Sequence, residues 1–127
     1  MGRVLSVFLA SMAFAAPALA EPSPVTEEAQ ALSGKYLFAL SDGTPSDCIL
    51  ELLTQGTYGE YDVTIGANCE SQFGFLGSLS GWKPAGGGIK LIGAESDPMG
   101  DMMPNGNGGF AGIVPHDGQD YTLSPVD

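Results

Sequence analysis

The side chains of this sequence that could do chemistry are few. His116 is the single histidine and stands beside Asp117-Gly118 in a segment that reads as a turn. It is read either as a solvated turn residue or as a lone catalytic or ligating group. A hydrolase of the nucleophile-elbow kind needs G-x-S-x-G, but Gly77-Ser78-Leu79-Ser80-Gly81 has leucine at its centre. Gly106-Asn107-Gly108-Gly109-Phe110-Ala111 spells G-x-G-x-x-A without the strand–helix–strand unit that a dinucleotide requires. H-E-x-x-H is absent. Met99, Met102 and Met103 fall near Asp97, Asp101 and His116, a soft set that suits Cu(I) or, more simply, fills gaps or touches a partner. The sequence therefore does not read as an enzyme, and it assigns no cofactor or metal.

Cys48 and Cys69 are the only cysteines. They lack the C-x-x-C spacing of a redox pair and the extra ligands of a zinc site, so in an oxidising compartment they are expected to form a structural disulfide. That compartment is implied by the N-terminus. Arg3 precedes an apolar run from Val4 to Phe14, and Ala18-Leu19-Ala20 ahead of Glu21 has the A-x-A cleavage pattern. The run is short of the roughly 20 residues that span a bilayer, and Pro17 interrupts the segment. Residues 1–20 are thus expected to be a signal peptide, cleaved near Ala20, which places the protein in the periplasm or outside the cell.

Removing 20 of 127 residues leaves 107, enough for one domain. Arg3 leaves with them, so three basic side chains remain against 15 acidic ones, a net charge of −12. Nucleic acid and anionic membranes demand the opposite sign and are excluded as partners. The acids are scattered, as on a solvated surface.

The elements that must position these groups are mostly strands. Glu21-Pro22-Ser23-Pro24-Val25 is extended, because each proline biases its predecessor away from the helical region. Thr26 caps a short helix, Glu27 to Leu32, with two acids in its first turn and Gly34 beyond its end. Period-two alternation follows in Tyr36, Phe38 and Leu40, in Cys48, Leu50 and Leu52, and in Tyr61, Val63 and Ile65. Further strands are predicted from Phe75 to Trp82, over Ile89 to Ile92, from Gly109 to Val114 and from Tyr121 to Leu123. Pro84 to Gly88 reads as a turn, and Glu95 to Gly109 as a long Met- and Gly-rich connection. Trp82 is the single tryptophan, placed either in the core or on a contact surface. Seven or eight short strands point to an all-β, antiparallel, small barrel, closed so that no sheet edge is left open.

The order of residues is also informative. Leu32-Ser33-Gly34-Lys35-Tyr36, Cys48-Ile49-Leu50-Glu51-Leu52, Cys69, Trp82-Lys83-Pro84 and Gly88-Ile89-Lys90-Leu91 occur in that sequence. Together they resemble the bacterial serralysin-type (alkaline) metalloprotease inhibitor family, whose pattern runs L-S-G-x-W, C-x-L-x-L, a second cysteine, W-x-P and a glycine-led strand. Tyr36 stands where that family has tryptophan. The resemblance covers residues 32 to about 92 and implies an eight-stranded β-barrel with one disulfide. It also implies that an N-terminal trunk, here Glu21, Pro22, Ser23, Pro24 and Val25, enters the active-site cleft of a secreted bacterial zinc metalloprotease. The helix through Leu32 would hold the trunk against the barrel. The motif residues Leu32, Gly34, Tyr36, Leu50, Leu52, Trp82 and Pro84 would build the support. The expected organisation is a signal peptide (1–20), a trunk with a short helix (21–31) and an inhibitor-like barrel (32–127), acting as a monomer. Two other readings stay open, a carrier of a small apolar ligand and a structural or adhesive envelope protein. A carrier needs an open interior rather than one filled by Tyr36, Phe38, Leu50 and Trp82.

Overall fold

The computed structural model describes residues 21–126; the expected signal peptide and its cleavage point lie outside the described residues. Helix α1 (Glu27–Leu32) begins at Thr26, whose hydroxyl accepts from the Ala29 amide at 3.0 Å. Eight strands follow: β1 (Gly34–Leu40), β2 (Cys48–Leu52), β3 (Val63–Ile65), β4 (Leu79–Ala85), β5 (Gly88–Gly93), β6 (Pro98–Pro104), β7 (Phe110–Val114) and β8 (Gln119–Pro125). A one-turn helix α2 (Cys69–Gln72) and a 3-10 turn (Gly74–Ser78) lie between β3 and β4.

All neighbours pair antiparallel in the order β3-β2-β1-β8-β7-β6-β5-β4. The sheet curls until its two outer strands meet. There the amides of Tyr61 and Trp82 each donate to the other's carbonyl, at 2.8 and 2.9 Å, and nearly close the barrel. Gly81 permits the approach, since a Cβ there would lie 2.8 Å from the Tyr61 carbonyl oxygen.

The alternating residues turn inward as expected. Tyr36, Phe38, Leu50 and Trp82 are all buried, so among the described residues the barrel interior is filled by side chains. Phe38 stacks on Tyr121 with ring centres 4.8 Å apart and meets Phe73 edge-on at 5.1 Å. Cys48 and Cys69 form a disulfide.

Four expectations need correction. The strand predicted from Phe75 to Trp82 begins only at Leu79, and residues 74–78 make a 3-10 turn. Phe73, Leu76 and Leu79 recur every third residue and all are buried, a three-per-turn pattern that no strand could bury on one side. The long connection expected from Glu95 to Gly109 contains β6. Its flexible Met102 is wholly buried, and Pro98 and Pro104 occupy its ends, where a missing amide is tolerated. The turn after β4 is only Gly86-Gly87, both with positive φ (60° and 88°), while Pro84 and Ala85 belong to the strand. Finally, β3 starts at Val63, and Tyr61 joins the sheet only through its bridge to Trp82.

The barrel has two distinct ends. At one, Gly34 of β1 lies opposite Leu52 of β2, near α1 and the 53–62 connection. At the other, Cys48 pairs with Phe38 and Leu40 with Tyr121, beside α2 and the 115–118 turn.

Candidate functional site: the docked N-terminal trunk

Residues 21–25 are exposed except Ser23, which is 7% exposed. Their backbone is pinned by the connection between β2 and β3. The Ser23 amide donates to the Gly56 carbonyl at 3.0 Å, and the Tyr58 amide donates to the Glu21 carbonyl at 2.9 Å, with Pro22 bridging Thr57 between them. The Ser23 hydroxyl donates to the Glu60 carbonyl at 2.6 Å, and the Tyr61 hydroxyl to the Pro24 carbonyl. The trunk is therefore a one-residue strand laid along a loop. The family resemblance implies that α1 holds the trunk, whereas the direct bonds come from residues 56–61.

The loop is built for the task. A Cβ on Gly56 would sit 2.1 Å from the Glu60 carbonyl oxygen, so only glycine lets the loop fold back so tightly. Thr57 to Glu60 form a tight turn, the Glu60 amide donating to the Thr57 carbonyl at 3.1 Å, with Tyr58 and Gly59 at φ 57° and 82°. The loop has little signature in the sequence. Its local signal was a pair of glycines flanking a tyrosine, Gly56-Thr57-Tyr58-Gly59, and its partners lie up to 37 residues away.

The motif residues support the trunk in layers. Trp82 is fully buried, its indole N–H donating to the Leu53 carbonyl at 2.9 Å, and its ring centre lies 5.2 Å from that of Tyr61. Tyr61 in turn holds Pro24. Tyr36, in the place of the family's tryptophan, is buried against Phe110 and donates to the Leu32 carbonyl at 2.7 Å. It thereby satisfies a carbonyl at the end of α1, and burial raises its hydroxyl pKa. Leu50 and Leu52 point inward, Leu32 packs on the core, and Pro84 is half-buried in β4. Gly34 takes a φ of 130° where the chain leaves the helix for β1.

The other candidates are scattered. Met102 is in the core, Met103 is 44% exposed, and Met99 packs on the core near Gly93, so the three thioethers do not converge. Among the described residues, no three His, Cys, Asp or Glu side chains are grouped to hold a metal ion. His116 lies against Phe75, ring centres 5.1 Å apart, at the far end of the barrel from the trunk. Its neighbour Asp117 accepts from the Tyr121 hydroxyl at 2.5 Å. That bond is the chief cause holding the Asp117 carboxyl below the usual range, while burial first and Asp117 second raise the Tyr121 hydroxyl. Among the described residues, no helix is long and apolar enough to cross a membrane.

Comparison with known proteins bears on the barrel. No curated protein matches the chain. Among solved structures, the inhibitor of a psychrophilic marine protease MP has the same fold, with a TM-score of 0.56 at 17% identity over 78% of this chain and 99% of that one. The family model of protease inhibitor Inh matches residues 26–125, beginning at the cap of α1 and ending in β8. With a filled eight-stranded barrel, one disulfide and a match over most of its length, the chain belongs to the Inh family of protease inhibitors.

Proposed function

We propose that this protease inhibitor is exported, acts as a monomer on a secreted bacterial zinc metalloprotease, and does so by placing Glu21–Val25 in the active-site cleft. It is a binding protein rather than an enzyme. The observation that carries the reading is the trunk itself, an extended, solvent-facing segment whose backbone is already fixed by bonds to residues 56–61. A segment held in this way loses little conformational freedom on entering a cleft. Two prolines also make it a poor substrate. With cleavage after Ala20, Glu21 offers an α-amine and a carboxylate, either of which can take the open position on a catalytic zinc.

The test compares residues 21–127 with residues 26–127 against a serralysin-type zinc protease. The shortened protein keeps the disulfide and the whole family-matched region and is expected to lose at least about tenfold in affinity, roughly 1.4 kcal/mol. A residue added ahead of Glu21 should do similar harm by covering the amine. Equal inhibition by both forms would refute the trunk mechanism. N-terminal sequencing of the exported protein checks the leader, with Glu21 as the expected first residue.

A further inference from the structure

We infer that Tyr58 is a second anchor for the protease, seated just outside the cleft that receives the trunk; this rests on the trunk reading above. At 72% exposure it is the most exposed large apolar side chain among the described residues. Its backbone sits at φ 57°, in the left-handed region that suits glycine or asparagine and is rare for an aromatic residue. The chain thus holds a ring in water, on a backbone conformation the ring does not favour. Neither choice helps the fold.

The position explains the choice. The Tyr58 amide is bonded to the Glu21 carbonyl, and Thr57 bridges Pro22. Any enzyme that closes around Glu21 and Pro22 must therefore come down on Tyr58 as well. Tyrosine is a frequent interface anchor because it supplies a large rigid contact with few torsions to freeze. Val25, at the other end of the trunk, is 56% exposed and offers a second apolar side chain. The partner's matching feature is an apolar seat at the mouth of its cleft, and the trunk's bonds to the loop set the distance between ring and cleft.

The test uses the mature protein with Tyr58→Asn, which removes the ring and suits the left-handed backbone, and Tyr58→Phe, which keeps the ring. Ile113→Asn, at a 57% exposed position on β7, is the control. Affinity and dissociation rate are read against a serralysin-type zinc protease, a trypsin-like serine protease and a papain-like cysteine protease. Tyr58→Asn is expected to lose at least about tenfold in affinity, mainly through faster dissociation, with a melting temperature unchanged or higher. Tyr58→Phe should retain most of the affinity, and Ile113→Asn should behave as the parent. Full affinity in Tyr58→Asn, alongside loss on deleting residues 21–25, overturns the inference and leaves the trunk reading standing. A lower melting temperature in Tyr58→Asn overturns it too, since the ring would then be structural. Loss in Tyr58→Asn with none on deletion supports the anchor and overturns the trunk reading. Inhibition of none of the three proteases overturns both.

Discussion

The two ends of the barrel are held in different ways. Around the disulfide, strength lies in side chains: Phe38, Phe73, Phe75 and Tyr121 stack and cross, and Cys48 is bonded to Cys69. Around the trunk it lies largely in the main chain, in bonds from residues 56–61 that leave the side chains of Glu21, Pro22, Pro24 and Tyr58 facing solvent. Main-chain bonding fixes the path of a segment without using its side chains. An exposed segment can thus follow a fixed path while most of its side chains stay out of the core.

The largest perturbation should fall on the closure of the barrel behind the trunk. Trp82→Ala empties a fully buried site, releases the Leu53 carbonyl and weakens the closing bridge, and is expected to cost about 3–5 kcal/mol in urea unfolding. Inhibition should fall with the folded fraction. Reducing Cys48–Cys69 should cost on the order of 3 kcal/mol while the still-folded protein inhibits as before. A loss of inhibition larger than the loss of fold would show that the ends are coupled. Ser23→Ala removes the hydroxyl bond to the Glu60 carbonyl and should cost only about 1 kcal/mol of stability, yet weaken inhibition by more than its stability effect explains.

The smallest effect belongs to pH, and at the disulfide end it has two limbs. The lowered Asp117 contributes stability that is present above about pH 4 and lost as acid titrates it in the fold. The raised Tyr121 contributes stability that is full below about pH 10 and declines above that, where the unfolded chain ionises first. Melting temperatures of the parent and Tyr121→Phe across this range check both signs, and the variant should show shallower losses at both extremes. Equal curves would mean that the Asp117–Tyr121 bond contributes nothing to either limb.

How much of this was legible in the sequence also differs between the ends. Tyr36, Phe38, Cys48, Leu50 and Leu52 alternate plainly, so β1, β2 and the disulfide could be read directly. The Thr26 cap was equally plain, because its bonds are three residues long. The 3-10 turn was missed because glycines at 74 and 77 obscured the three-residue spacing of Phe73, Leu76 and Leu79. Strand β6 is hidden in the sequence because glycine, aspartate and proline are poor strand formers, and neighbours rather than propensity decide its conformation. The trunk's extension could be read from its prolines, but its seat could not, since the Ser23–Glu60 bond spans 37 residues and has no local signature.

One feature of the topology governs when the molecule can come into being. Strand β1, among the earliest made, lies between β2 and β8, and five residue pairs join it to the last strand. Strand β1 has one edge unpaired until residues 119–125 take their place, and no barrel can close before then. A chain stopped short of β8 has open edges on both β1 and β7, and those edges invite pairing with another copy. The final seven-residue strand is thus the step that pairs both open edges and lets the barrel close.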